Sequence, residues 1–145
     1  MGEPRKSFLG ERYFPLIFQN IHRYFFYLAF LFIILLSYDA WLAMWFTTDG
    51  VSHFGFGVGT VVMILNAVFL SMYTLGCHSL RHLIGGFLDS KSKSPACAKG
   101  YNCVSCLNRR HMMWAWISLF WVGFTDVYIR LCTSGTIHDL ILFKF

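Results

Sequence analysis

An all-α integral membrane protein, with three transmembrane helices in one helical bundle and a cytoplasmic N-terminus, is the fold this sequence predicts. Three observations carry that reading. Of the 145 residues, 57% are hydrophobic and only 13% are charged, whereas a soluble domain carries about 25% charged residues. The apolar residues are gathered into three long runs, and the basic residues lie to one side of them. Such a composition excludes a soluble globular domain, and it excludes a disordered chain, which needs low hydrophobicity and high net charge. The length allows a single membrane domain over residues 1–145.

The first run, Tyr24 to Phe46, holds one charge, Asp39. The second, Phe54 to Leu80, holds none over 27 positions, and the third, Met112 to Leu131, holds Asp126 and Arg130. Each meets the roughly 20 residues that a bilayer-crossing helix needs, and none alternates as a lipid-facing barrel strand would. The spans are placed at about 24–46, 56–84 and 111–132. The first run starts too late and runs too long for a signal peptide. Arg5, Lys6, Arg12 and Arg23 precede it, and Lys91, Lys93, Lys99, Arg109 and Arg110 lie between the second and third spans. The TTDGVSH segment between the first two spans has neither Lys nor Arg. The positive-inside rule therefore puts the N-terminus and a cysteine-containing loop over 87–110 in the cytoplasm. The net charge of +5 is read as a topology signal, and no nucleic acid is expected. Gly85 and Gly86 suit a helix end, with Pro95 beyond it. Gly55, Gly57 and Gly59 are expected to allow close helix approach.

Histidine and cysteine carry the chemistry. His22, His78, His82 and His111 fall at the cytoplasmic ends of the spans. The i, i+4 spacing puts His78 and His82 on one helix face, continuing a polar stripe through Ser71 and Thr74 that must face other helices or a cavity. Headgroup anchoring explains one such histidine; four at one end suggest a ligand set, for haem or for an iron–sulfur site. Cys77 abuts His78, and Cys97, Cys103 and Cys106 lie in the basic loop, the last two as a C-x2-C. A reducing compartment disfavours disulfides there. With His111 these three cysteines offer a Cys3His zinc site; two cysteines with two histidines offer a Rieske-type cluster. Arg81, Ser79 and His82 supply hydrogen-bond donors where a quinone head would enter, and snorkelling of Arg81 to lipid phosphate is the alternative. Asp126 is expected to pair with Arg130 at i+4, whereas Asp39 has no charged partner in its span.

The stretch from Met72 to Gly86, Met-Tyr-Thr-Leu-Gly-Cys-His-Ser-Leu-Arg-His-Leu-Ile-Gly-Gly, resembles the membrane-anchor subunit of succinate dehydrogenase and fumarate reductase, the succinate:quinone oxidoreductases, in its actinobacterial type. His22-Arg23-Tyr24, Tyr38-Asp39-Ala40-Trp41, Asn108 with His111, and Asp126-Val-Tyr128 support it across most of the chain. The resemblance implies a non-dehydrogenase subunit in the electron transport of the respiratory chain and the tricarboxylic acid cycle, set in a bacterial inner membrane among lipid. It further implies an iron–sulfur subunit docked on the cytoplasmic side, a flavoprotein subunit beyond it, and a second membrane-anchor chain. A quinone site is expected near Ser79, Arg81, His82, His22 and Arg23. The redox centre is expected to be haem b or a Rieske-type iron–sulfur cluster, drawing on Cys77, His78, His82, Cys103, Cys106 and His111, with His78 and His111 as the axial pair for a haem. The relatives are expected to carry Cys-His-x-Cys-x-His, and here Leu80 stands at the second cysteine. A small membrane adaptor with the Cys3His zinc site is the alternative function.

Overall fold

The computed structural model describes residues 13–15, 17–48, 50–85 and 95–144. Three of its helices are long and apolar enough to cross a membrane: Ile21–Leu42, within α1 (Ile17–Leu42), then α2 (Val58–Leu75) and α5 (His111–Thr133). They form because each is a long, predominantly apolar run whose backbone groups are satisfied within the helix, the few charged side chains lying near the ends of the first span, as Arg23 and Asp39, and as an ion pair in α5. Their outer faces stay uncovered, with Phe25, Leu28, Phe32, Leu119, Phe120 and Phe124 all exposed to the lipid region. The basic N-terminal residues Arg5, Lys6 and Arg12 lie outside the described residues.

Helix α2 is the middle element, packed on α1 along one side and on α5 along the other. Phe69 of α2 meets Trp114 and Trp121 of α5 at ring-centroid distances of 6.4 and 5.4 Å. The Trp121 indole donates to the Val62 carbonyl at 3.1 Å, which gives a buried N–H a partner across the helix pair. Buried polar residues lie between the helices: Ser118 and Thr125 bond carbonyls of α5 itself and Thr60 of α2 bonds the Ala43 carbonyl, the small side chains found between membrane helices, whereas the buried Asn66 Oδ1 has no partner.

Three features depart from the sequence expectation. A three-stranded sheet, β1 (Trp45–Thr48), β2 (Val51–Gly57) and β3 (Ile141–Lys144), closes one end of the bundle in the order β1-β2-β3, both pairings antiparallel. The Asp-Gly pair between β1 and β2 favours a two-residue hairpin turn, and Gly50 takes φ +79° there. Gly55 and Gly57 thus belong to a strand, and only Gly59 to a membrane helix. Second, the long middle span is two helices. Helix α2 stops at Leu75, and α3 (His78–Gly85) starts anew after Gly76 and Cys77. A Cβ on Gly76 would sit 2.9 Å from the Met72 carbonyl oxygen and 3.3 Å from Leu107, so the close approach of the next element needs glycine. Asn108 donates to the freed Gly76 carbonyl at 2.8 Å. Third, the loop read over 87–110 contains α4 (Pro95–Arg109). Pro95 opens that helix, where its missing N–H costs nothing.

Candidate functional site

The break at Gly76 and Cys77 gathers the chemistry-bearing side chains at the end of the bundle away from the sheet. Leaving α2, the chain exposes the Cys77 thiol to α1: His22 Nε2 and Cys77 Sγ are hydrogen-bonded at 3.0 Å, and the Ser79 N–H donates to the same sulfur at 3.4 Å. His22, Cys77 and His111 line one cavity of about 110 Å³ with Phe25, Phe26, Ala29, Tyr73 and Thr74. The His111 ring stacks on Tyr73 with centroids 4.7 Å apart, and its buried Nδ1 has no partner. Among the described residues three buried side-chain polar atoms lack a partner, Asn66 Oδ1, Ser105 Oγ and His111 Nδ1, and of these residues His111 is the one that lines a cavity together with a thiol and a second imidazole.

The next turn of chain builds a second group. On α3, His78 and His82 sit one turn apart as the sequence spacing requires, with their Nε2 atoms 2.8 Å apart. One ring must donate and the other accept, so this contact holds a single proton between the facing nitrogens. Partial burial, then the charges of His82, Arg81 and His22, push His78 below the ordinary histidine range. Because α3 is a separate helix, this pair does not continue the polar stripe of α2 as expected. Thr74 faces the His22 cavity, whereas Ser71 lines a different one.

Arg81 points at protein. Its Nε and Nη2 donate to the Tyr101 hydroxyl oxygen at 3.1 and 2.9 Å, and its guanidinium carbon lies 5.3 Å from the Tyr101 ring centroid. Tyr101 was not singled out from sequence, because twenty positions and a helix break separate it from Arg81; an aromatic in a basic loop gives no local signal. Arg23 is exposed on α1, and Ser79 is half-buried on α3.

The loop cysteines do not join this group. Cys103 and Cys106 are exposed on α4 and line a groove of about 650 Å³ with Ser37, Ala40 and Trp41 of α1 and Ala67, Ser71 and Leu75 of α2. His111 faces the other cavity, so Cys103, Cys106 and His111 are not brought together, and the side chain of Cys97 lies outside the described residues. Among the described residues no three of His, Cys, Asp and Glu are placed to hold a metal ion. The intramembrane acids are also apart from the site. Asp126 pairs with Arg130 at 2.9 Å, as its spacing predicts, and Asp39 is exposed in the last turn of α1.

At the opposite end, Asp139 was missed by sequence reasoning. Its Oδ1 accepts from the Gly59 N–H and from the Tyr128 hydroxyl, both at 2.8 Å. A Cβ on Gly57 or Gly59 would stand 2.6 or 3.0 Å from Asp139 Oδ2. Those glycines admit a carboxylate to the start of α2, where N–H groups lack acceptors within the helix and must find them elsewhere.

Comparison with known proteins places this arrangement. Residues 1–135 match the family described as actinobacterial succinate dehydrogenase subunit SdhC. A chain of the Mycobacterium smegmatis Sdh1 complex in the apo form is 47% identical, with a TM-score of 0.80, over 97% of this chain and 52% of that one. The present chain thus spans about half the length of that relative. No curated protein matches it. With three membrane helices, a histidine-rich end and a family match over nearly its whole length, the chain belongs to the actinobacterial SdhC family of succinate dehydrogenase membrane subunits.

Proposed function

We propose that this chain anchors the iron–sulfur and flavoprotein subunits of a succinate:quinone oxidoreductase to the bacterial inner membrane and helps form the quinone-reduction site. The observation that carries this reading is the clustering of His22, His78, Arg81 and His82 at one end of the bundle, close enough for the first, third and fourth to act on the His78 charge. The site comprises Ser79, Arg81 and His82 of α3 with His22 and Arg23 of α1. Guanidinium and imidazole N–H groups are suited to donate to quinone carbonyls and to stabilise the negative charge that reduction places on those oxygens. The N-terminus and the α3–α4 end face the cytoplasm, where the iron–sulfur subunit docks. This orientation rests on the basic residues flanking those elements.

The residues present do not fit a haem held by His78 and His111. His111 lines a cavity of about 110 Å³, room for a few waters at about 30 Å³ each and not for a macrocycle. His78 is outside that cavity and engaged with His82. A Rieske-type set is incomplete for a different reason. Cys77, His22 and His111 meet at one cavity, but Cys103 and Cys106 line the other, and Leu80 gives no thiol.

A second membrane-anchor chain completes the bundle in this reading. The groove between α1 and α2 is open and apolar. Its walls carry Ala40, Ala67, Ser37 and Ser71, the two hydroxyls already donating to the Ile33 and Ala67 carbonyls. Small residues without free polar groups are what a close helix–helix contact in a membrane uses.

The test is succinate:quinone reductase activity in Arg81→Ala and His82→Ala, with assembly checked by flavin content. Removing a charged or hydrogen-bonded anchor is expected to lower quinone reduction at least about ten-fold in an assembled complex. Full activity in both variants overturns the site.

A further inference from the structure

Arginine has five N–H donors, and at Arg81 two of them are spent on the single oxygen of Tyr101, leaving three. The ring face of the same tyrosine lies beside the guanidinium carbon, 5.3 Å from it. An arginine at the end of a membrane helix ordinarily extends towards lipid phosphate with a freely rotating head. Here the side chain is caught by another helix before it gets there.

We infer that Tyr101 is a positioning residue for the quinone site: it holds the Arg81 guanidinium in one orientation, with the remaining N–H groups, unpartnered among the described residues, turned to a quinone carbonyl. The inference rests on the proposed quinone site and adds to it a residue of α4. The physical effect is preorganisation. An unrestrained arginine carries about 2 kcal/mol of rotamer entropy, part of which is lost when a ligand fixes it. The Tyr101 contacts remove that freedom before the quinone arrives. They are attractive through both the hydroxyl and the ring, and they couple two helices that pack together, since α3 meets α4 along its length. Tyr101 donates nothing to the quinone in this scheme; its action passes through Arg81.

The experiment compares Tyr101→Phe, Arg81→Lys and the double variant in the whole complex. The protein is purified through a tag on the flavoprotein subunit, so that only assembled enzyme is assayed. Turnover is expressed per flavin, and the KM for a short-chain quinone analogue is measured. Tyr101→Phe keeps the ring and removes the acceptor oxygen. It is expected to raise the KM about five-fold while kcat changes by less than about two-fold. Arg81→Lys is expected to raise the KM more, because lysine lacks the planar fork. The double variant is expected to match Arg81→Lys, since Tyr101 has nothing left to orient. An unchanged KM in Tyr101→Phe beside a raised KM in Arg81→Lys overturns the role of Tyr101 and leaves the quinone site standing. A KM effect of Tyr101→Phe that multiplies with that of Arg81→Lys also overturns it. An unchanged KM in both single variants overturns the quinone site as well.

Discussion

The two ends of the bundle treat polar groups in opposite ways. At the sheet end the buried polar groups among the described residues are paired within the chain. Asp139 receives the Gly59 amide and the Tyr128 hydroxyl, and the buried Thr60 hydroxyl donates to the Ala43 carbonyl at 2.8 Å, tying the end of α1 to the start of α2. The strand ladder occupies the backbone groups between them. At the histidine end, pairing is incomplete. His111 Nδ1 is orphaned, Cys77 is shared between His22 and the Ser79 amide, and His78 and His82 can satisfy each other only by sharing one proton. Satisfied groups fix a structure, and unsatisfied or mutually frustrated ones are held in readiness for a ligand. The contrast separates an end held by internal pairing from the end where the proposed site lies.

The largest expected effect tests the first half of that contrast. Replacing Asp139 by Leu leaves the Gly59 N–H and the Tyr128 hydroxyl without their acceptor at the start of a membrane helix. Loss of two hydrogen bonds to a charged group is expected to cost about 3 kcal/mol. The readout is the thermal unfolding midpoint of the detergent-purified complex, with Tyr128→Phe, which removes one of the two bonds, falling less. An unchanged midpoint in Asp139→Leu removes the sheet end from its structural role.

The same contrast explains what could be seen in the sequence. The three spans were legible because a continuous apolar run of that length has hardly anywhere to go but a bilayer, and the Asp126–Arg130 pair because i, i+4 spacing is local. The histidine end was legible from topology alone. The sheet was hidden because Trp45, Phe46, Phe54 and Phe56 are as apolar as the spans they adjoin, and a short apolar run has the same composition as helix or strand. Asp139 and Gly59 are eighty positions apart, so nothing local announces that the glycine accommodates a carboxylate. The break at Gly76 depends on the approach of Leu107 and Asn108, again a distant contact. The split of the cysteines between two cavities was illegible for the same reason: which helices Cys77 and Cys103 face is decided by packing between distant segments.

A smaller effect probes the other half of the comparison. His111→Phe keeps a ring to stack on Tyr73 and removes the orphaned nitrogen. The substitution removes one unpartnered nitrogen and the ring's contact with the Tyr73 backbone, so the stability lost, read from the unfolding midpoint, is expected to stay within about 1 kcal/mol, the worth of a single hydrogen bond. Quinone reductase activity is expected to fall several-fold, because the cavity loses one of its two imidazoles. A large loss of stability with normal activity would reverse the assignment and make His111 a structural residue.

The smallest effect concerns pH. His78 has its folded-state pKa below the ordinary value of about 6.5, so the unfolded chain binds that proton more readily. The stability contributed by the neutral ring is fully present above the ordinary value and is lost as pH falls below it towards the folded-state value. Burial is the leading cause, and His82 is the next, ahead of Arg81 and of His22 across the helix gap. In His82→Gln the neighbouring charge is gone while a hydrogen-bonding side chain remains. The His78 pKa then moves back towards its ordinary value, and the fall of the unfolding midpoint between about pH 7 and about pH 5.5 becomes shallower. The shift is expected to be modest, because both rings are exposed. A slope as steep in His82→Gln as in the parent protein would show that the two histidines are not electrostatically coupled. The pH response of His78 would then rest on burial and on the charges of Arg81 and His22.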